Sequence, residues 1–336
     1  MMYIIEKIKP GIAWITKLSQ NKAIRISLQV IILVLCLLYL ANNLLTIKSS
    51  QVEINPNILI IVLSCGFSIL SVIFGALGFY LTLHAFFILI KWHEAVNIHL
   101  QSNLAKYIPG YAWQLIGKAY LTRKTGTSIR LVGLVMTLEL LQILITGIFI
   151  ALIFLPVELL NRWQIGISLI HLLPAIRVIS FALLLLFPFC ITWIINKSRA
   201  FDQTNHSNPL VLLGALICML VGWLFLGYSY WLLGRGLFTV IFEQFNFYIF
   251  TLAASYLIGL AIIIVPGSIG VRESVMVWLL GPVVGAPQAV IIAALSRVII
   301  TISELLSAFT FQLITRGWIN PKVLQVQSDP DQRDEL

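Results

Sequence analysis

The chain has 336 residues, of which 60% are hydrophobic and 10% charged, and its mean hydropathy is +0.98. A soluble domain carries roughly 25% charged residues, so this composition excludes a soluble protein and predicts an all-α polytopic membrane protein. The net charge of +9 does not indicate a nucleic-acid partner, because the basic residues lie in short loops between apolar runs, as they do in membrane proteins.

The N-terminal part predicts a surface helix followed by a first span. Residues 1–25 carry five basic side chains against the single carboxylate Glu6, and apolar residues recur at roughly helical spacing. This pattern is typical of an amphipathic helix on an anionic cytoplasmic leaflet. We expect the first span at about 26–45, the next within the uncharged run Asn57–Ile90, and a membrane-embedded domain over residues 26–315.

The basic segment after this run contains the first candidate site. Between Lys91 and Arg130, six basic side chains stand against one carboxylate, Glu94, which predicts a cytoplasmic location. Within it, Leu104–Ala119 is too short and too polar to cross a bilayer and too apolar for an ordinary loop. We therefore expect a re-entrant or interfacial segment. Its candidate site residues are Lys106, Pro109, Gly110 and Lys118.

The histidines and cysteines do not predict a bound metal. His84, His93 and His99 have spacings that match no metal-ligand motif. The four cysteines are scattered inside apolar segments without paired spacing, which is typical of small buried side chains. We predict no metal site and no cofactor.

The middle of the chain predicts further spans. The run Leu131–Leu155 carries a lone carboxylate, Glu139, and such a charge within a span is costly and often functional. The run Ile165–Ile195 is over-long and contains Pro174 and Pro188. Because proline interrupts helices, we expect a short interfacial piece there and then a span from about residue 177. An uncharged run over 209–233 follows.

A second Pro-Gly pair interrupts the last third of the chain. The apolar run Phe247–Val265 is nearly long enough to cross a bilayer and is followed by Pro266 and Gly267. These two must break the helix, because proline lacks the amide proton and glycine weakens helical order.

The helix predicted after this break carries a pair of charges. Ser268 or Gly270 can begin it, and its first turn holds Arg272 and Glu273. Broken backbone at membrane depth is tolerated only where protein or a water-filled cavity covers it, and charges beside such a break are often functional. We therefore place the functional site here, with Gly270 among its residues.

The last apolar run, Ala286–Thr315, contains Arg297 and Glu304. Because they are seven residues apart, these two side chains share a helix face, and both are candidate site residues. Residues 316–336 form a short polar tail that we expect to be disordered and cytoplasmic.

The basic residues predict the orientation of the whole chain. Loops that we place in the cytoplasm hold several basic side chains, whereas those that we place outside hold one each. Both termini are then cytoplasmic, with about seven spanning helices. Segment 247–281 has to enter and leave on the outer side as a re-entrant hairpin, opposite in sense to the first broken segment. Two broken segments of opposite orientation suggest an inverted repeat, as in many transporters.

Two motifs resemble the lysylphosphatidylglycerol synthase transmembrane-region family, also called flippase-like membrane proteins. The first is Lys106-Tyr107-Ile108-Pro109-Gly110 with Trp113 and Gly117, and the second is Pro266-Gly267-Ser268-Ile269-Gly270-Val271-Arg272-Glu273. In the second, Ser268 stands where the family more often has a glycine. The resemblance covers most of the membrane region. It implies a helical bundle with re-entrant segments in a bacterial or archaeal cytoplasmic (inner) membrane, associated with moving lipids between leaflets.

The chain is also similar to the membrane part of the multiple peptide resistance factor, in which a cytosolic aminoacyltransferase domain follows. Here residues 316–336 follow the last apolar run. We therefore expect the lipid-moving activity without lysyl-lipid synthesis.

The leading hypothesis is a lipid translocase and not an enzyme. Four cations would line a groove that captures the anionic headgroup of a phospholipid or of a lipid-linked molecule: Lys106, Lys118, Arg272 and Arg297. Arginine suits phosphate through its forked, permanent charge. Three carboxylates would neutralise these cations when the groove is empty, or would carry protons if transport is driven: Glu139, Glu273 and Glu304.

Several alternatives stay open at this stage. Salt bridges that lock helices together would explain the same charges, with Arg272 paired to Glu304 or Arg297 paired to Glu139. A membrane-embedded enzyme or an accessory subunit in envelope-lipid or lipid-linked glycan synthesis is the alternative function, although the chain has no paired aspartates and no nucleophile with an obvious base. We expect membrane phospholipids or polyprenyl-linked lipids as partners. A separate lipid-modifying enzyme and a second copy of the chain are further candidates.

Overall fold

The computed structural model describes residues 38, 54–88, 90–107, 113–162, 167–197, 207–238, 244–261 and 270–316. Within these ranges the chain is helical and contains no strand, which confirms the predicted all-α class. The predicted surface helix at 1–25, the predicted first span apart from residue 38, and the tail after residue 316 lie outside the described residues. Both Pro-Gly pairs also lie outside them.

Ten α-helices and one short 3-10 helix form the described part of the chain. In order they are α1 (Ile58–Ala85), α2 (Trp92–Leu104), the 3-10 helix (Ala105–Tyr107), α3 (Trp113–Arg123), α4 (Ile129–Ile153), α5 (Val157–Arg162), α6 (Ile167–Lys197), α7 (Pro209–Leu237), α8 (Phe245–Ala261), α9 (Val271–Val284) and α10 (Ala286–Arg316).

Five of these helices are long and apolar enough to cross a membrane: α1, α4, the part of α6 from His171 onward, α7 and α10. They coincide with the long apolar runs of the sequence, so the described chain is that of a multi-pass membrane protein. Helices α2, α3 and α9 have 13, 11 and 14 residues, which is too short to span a bilayer.

Helices α1 and α7 form a tightly packed antiparallel pair at the centre of the bundle. The amide of Asn57 donates to the carbonyl of Gly236 at 2.7 Å, and the amide of Asn208 donates to the carbonyl of Ala85 at 2.9 Å. Each of these hydrogen bonds joins the start of one helix to the end of the other. About two turns in from the Ile58 end of the pair, the hydroxyls of Ser64 and Ser229 donate to each other's backbone carbonyls at 2.8 and 2.7 Å, and such small polar contacts let membrane helices approach closely.

Apart from α5 and α6, the described helices form two groups that correspond along the chain, α1 to α4 and α7 to α10. The first helix of each group packs on the second, α1 on α2 and α7 on α8. A short helix then follows each Pro-Gly pair and packs on the long helix after it, α3 on α4 and α9 on α10. The last helix of each group packs on the first two helices of the other, because α4 contacts α7 and α8, and α10 contacts α1 and α2.

Helix α6 corrects one expectation. The predicted interruption at Pro174 is wrong, because one helix runs from Ile167 to Lys197 through both Pro174 and Pro188. Proline is tolerated within membrane helices, because a proline frees one carbonyl whereas breaking the helix in lipid would free several backbone groups.

Helix α9 begins where the sequence predicts a new helix after the second break. Gly270 is its N-cap, with a φ of +83°, a left-handed conformation that favours glycine because a Cβ would be strained there. The Glu273 carboxylate accepts the amide of Gly270 at 2.8 Å, which satisfies one of the free amides at the helix start.

Candidate functional site

Seven of the predicted charged site residues converge between the short helices and the long helices that follow them. They are Lys106 on the 3-10 helix, Lys118 on α3, Glu139 on α4, Arg272 and Glu273 on α9, and Arg297 and Glu304 on α10. Gly270 lies beside them as the N-cap of α9. The four other predicted site residues, Pro109, Gly110, Pro266 and Gly267, lie outside the described residues.

His99 on α2, Lys118 and Glu139 form a buried triad. The Lys118 ammonium donates to Glu139 Oε1 at 2.7 Å and lies 3.1 Å from His99 Nδ1. That same His99 nitrogen is 3.3 Å from Glu139 Oε1. The three side chains are between 4% and 8% exposed, so water does not screen the attraction between Lys118 and Glu139 as it would at a surface. The triad joins three helices.

The imidazole of the triad is neutral at pH 7. Burial lowers the pKa of His99 below its usual value of 6.5, and the Lys118 ammonium lowers that pKa further. Charging a buried base is unfavourable, and a neighbouring cation adds to that cost. The Glu139 carboxylate opposes this effect on the pKa of His99 but does not outweigh it.

Two further ion pairs connect α10 to the other site elements. The Lys106 ammonium donates to Glu304 in a close contact that joins the 3-10 helix to α10. An Arg297 nitrogen lies 3.8 Å from Glu273 Oε1, while the other oxygen of Glu273 caps the start of α9. The shared face of Arg297 and Glu304 therefore carries contacts to both the 3-10 helix and the first turn of α9.

Arg272 differs from the other three cations. Its side chain is buried, with 7% of the residue exposed, and its guanidinium carbon lies 5.0 Å from the centre of the Tyr256 ring. This is a cation–π contact, which holds the guanidinium while leaving its in-plane donors unused. Its Nη2 has no hydrogen-bond partner among the described residues. A buried donor without a partner is costly, and this makes it a candidate for binding a ligand.

The predicted salt-bridge partners are corrected by this arrangement. Arg272 makes no ion pair within the described ranges, so its predicted pairing with Glu304 is wrong, and the ion pair of Glu304 is with Lys106. Glu139 pairs with Lys118. The physical reason is the packing of α10 against the 3-10 helix side of α2, which brings Lys106 rather than Arg272 to Glu304.

The charges of the site do not balance. Four cations (Lys106, Lys118, Arg272 and Arg297) stand against three carboxylates (Glu139, Glu273 and Glu304), and with His99 neutral the cluster keeps one net positive charge. Segments 108–112 and 262–269, which adjoin it, contain no acidic or basic side chain. The cation without a carboxylate partner in this set is Arg272.

A polar face of α4 links the triad to Arg272. Glu139, Gln142 and Thr146 are spaced three and four residues apart and are all buried, so they share one helix face. The Thr146 hydroxyl accepts the Trp223 indole N–H at 3.1 Å, and the Trp223 ring packs edge-on against Tyr256 at 5.1 Å. The same Tyr256 ring holds the Arg272 guanidinium, so a series of contacts runs from α4 through Trp223 and Tyr256 to Arg272.

A groove of about 410 Å³ lies between α5 and α9, away from these charges. Its lining includes Arg162, Trp278 and Gly281. Val277, which also lines it, is five residues after Arg272 on α9, which corresponds to about 8 Å along a helix and about 140° around it. The groove therefore opens on a different face of α9 from Arg272.

Two residues of the site are not among those predicted from the sequence. His99 appears there only as a possible metal ligand, and Tyr256 has no predicted role. The spacing of Gln142 and Thr146 after Glu139 in an apolar helix was a detectable signal for the polar face of α4. Nothing in the local sequence distinguishes Tyr256 from the other aromatic residues of the spans.

Comparisons with known proteins do not assign a family. No family model matches the chain, and neither a curated protein nor a solved structure matches it. The resemblance to flippase-like membrane proteins therefore stays a prediction that depends on the two motifs, and the functional argument has to come from the geometry of the site.

Proposed function

We propose that the protein is a lipid translocase that moves an anionic phospholipid or a lipid-linked anionic headgroup between the leaflets of the cytoplasmic membrane. The observation that carries this proposal is Arg272, a buried guanidinium in a net positive cluster with a donor left unpaired among the described residues. A headgroup phosphate is a suitable ligand, because it accepts two parallel hydrogen bonds from one guanidinium.

The surroundings of Arg272 suit a ligand that binds and is then released. The Tyr256 ring holds the guanidinium from one face, so the cation stays oriented when no anion is bound. The other cations, Lys106, Lys118 and Arg297, are each engaged with a carboxylate. They position the site electrostatically, and Arg272 is the primary ligand.

The proposed topology is the one that the basic residues and the two Pro-Gly pairs predict. With the predicted first span at 26–45, the five candidate spans make six crossings, an even number that agrees with two cytoplasmic termini and is one fewer than the seven or so predicted. The segments around the two Pro-Gly pairs are re-entrant and enter from opposite faces. The antiparallel pair α1 and α7 and the corresponding packing of the two helix groups support an inverted repeat. In such transporters the substrate site lies where the two broken segments meet.

The test is a leaflet-specific assay in reconstituted vesicles that compares labelled phosphatidylglycerol with labelled phosphatidylcholine. We expect Arg272→Gln to slow phosphatidylglycerol movement about tenfold to a hundredfold, because a hydrogen bond to a charged group contributes roughly 1.5–3 kcal/mol. Arg272→Lys should retain part of the rate, since lysine keeps the charge but loses the fork.

Arg235→Gln is the matched control. Arg235 also stacks on an aromatic ring, at 5.4 Å from that of Trp231, but its side chain is exposed. We expect the Arg235→Gln substitution to leave the rate of phosphatidylglycerol movement unchanged. Normal movement of phosphatidylglycerol by a folded Arg272→Gln variant would contradict the proposal.

A further inference from the structure

One nitrogen of the triad has two competing partners. His99 Nδ1 lies 3.1 Å from the Lys118 ammonium and 3.3 Å from Glu139 Oε1. An ammonium can only donate and a carboxylate can only accept. Nδ1 therefore accepts from Lys118 when it carries no proton, and donates to Glu139 when it does.

We propose that the triad is a proton-binding site that couples protonation of His99 to release of Lys118 for the anionic substrate. This proposal depends on the proposed function and deepens it by naming the coupling ion. In the step, Nδ1 takes a proton from hydronium and leaves water. The hydrogen bond from Lys118 to Nδ1 breaks, and one from Nδ1–H to Glu139 Oε1 forms.

Protonation of His99 changes the charge balance of the triad, because charged groups face its imidazole from neighbouring helices. Lys118 approaches from α3 and Glu139 from α4, while Glu304 on α10 interacts with it electrostatically. From α1, the neighbours are Gly75 and the ring of Phe79, neither of which titrates. Two cations would then share one carboxylate within the triad.

Repulsion between these two cations favours movement of the Lys118 ammonium out of the triad. Its ammonium is on a flexible stem, whereas the His99 ring is confined between α1 and α2 by Phe79 at 5.6 Å between ring centres. A released lysine adds a second unpaired cation to the cluster that contains Arg272.

The route from the triad to Arg272 is short and already formed. Glu139 shares a face of α4 with Thr146, which accepts the Trp223 indole N–H at 3.1 Å, and the Trp223 ring packs on Tyr256, the ring that holds Arg272. A continuous series of contacts therefore joins the helix of Glu139 to the ligand site.

The first experiment measures the pKa of His99 directly, by hydrogen–deuterium exchange at the imidazole carbon in the full chain in nanodiscs. If proton and anion favour the same state, each must raise the affinity for the other. We expect the pKa of His99 to rise when phosphatidylglycerol replaces phosphatidylcholine, by more than that of the exposed His84. In Lys118→Met this extra rise should disappear. Equal shifts at His84 and His99 would overturn the proposal.

The second experiment applies a pH difference across vesicles during the phosphatidylglycerol assay. We expect the pH difference to accelerate movement in the unaltered chain and in His84→Gln, and to have no effect in His99→Gln. Movement that ignores the pH difference in the unaltered chain would overturn the coupling and leave the translocase intact. Absence of any movement would overturn the translocase, and the coupling with it, whereas a lipid-dependent pKa of His99 would then show a lipid-sensing site.

Discussion

Arg272 and Lys118 are both buried cations, but their surroundings differ. Lys118 donates to the Glu139 carboxylate at 2.7 Å, whereas Arg272 faces the Tyr256 ring and makes no ion pair among the described residues. Removing one partner of a buried ion pair leaves the other charge uncompensated. Loss of Lys118 should therefore destabilise the fold, and loss of Arg272 should change ligand binding more than stability.

The stability of Lys118→Met tests this distinction. Because the substitution leaves Glu139 as a buried unpaired carboxylate, we expect it to lower the free energy of unfolding by on the order of 3–5 kcal/mol. The double variant Lys118→Met with Glu139→Gln should recover most of that loss. Denaturant unfolding in detergent measures both, with the exposed Lys124→Met as a control that should change stability by about 0.5 kcal/mol or less. A stable single variant would show that the triad does not hold the fold together.

The charges of the site could be predicted from the sequence, but not their partners. Charged residues are rare in apolar runs, so Glu139, Arg272 and Glu304 were evident without a structure. The Lys106–Glu304 pair joins residues 198 positions apart. No local pattern encodes which of several cations α10 meets, because that choice depends on how the helices pack.

At the scale of the helices, hydropathy and length predicted four of the five candidate spans well. The predicted run 131–155 became α4 (Ile129–Ile153), and the predicted run 286–315 became α10 (Ala286–Arg316). The proline rule failed in α6 because water hydrates the backbone groups of a broken helix, whereas in lipid a break would free several groups and an unbroken helix with a proline frees one carbonyl. The segment predicted to be too polar to span, 104–119, contains the 3-10 helix and the start of the short helix α3, while residues 108–112 lie outside the described ranges.

Close approach of α7 and α8 depends on a small residue. A Cβ on Gly234 would overlap the hydroxyl end of Tyr248, a side chain that is fully buried. We expect Gly234→Ala to cost about 1–3 kcal/mol of stability, as overpacking of a tight interface does. Gly66→Ala is the control, because nothing lies within 4 Å of its added Cβ. It should be neutral or stabilising by up to about 1 kcal/mol. Equal effects of the two substitutions in thermal unfolding would contradict the tight contact.

At the scale of the whole molecule, the antiparallel pair α1 and α7 is the axis on which the two helix groups are arranged. Helix α1 has 28 residues, which corresponds to about 42 Å and exceeds the hydrocarbon thickness of about 30 Å. Its two ends therefore lie at opposite membrane surfaces, and the corresponding ends of α7 lie beside them in reverse order. The proposed topology can therefore be tested at two positions, one at each end of the helix pair.

Asn55 precedes α1 beside the end of α7, and Asn208 precedes α7 beside the end of α1; both are exposed. In a variant without Cys36, Cys65, Cys190 and Cys218, a cysteine would replace each asparagine in turn. An impermeant maleimide should label Asn55→Cys in spheroplasts and Asn208→Cys in inverted vesicles, because the basic loops place the Asn208 side in the cytoplasm. Labelling of both from the same side would contradict the antiparallel crossing of the membrane. Labelling with the two sides exchanged would agree with the antiparallel crossing but reverse the predicted orientation of the chain in the membrane. The anionic headgroup would then meet each of the two Pro-Gly segments from the leaflet opposite to the predicted one.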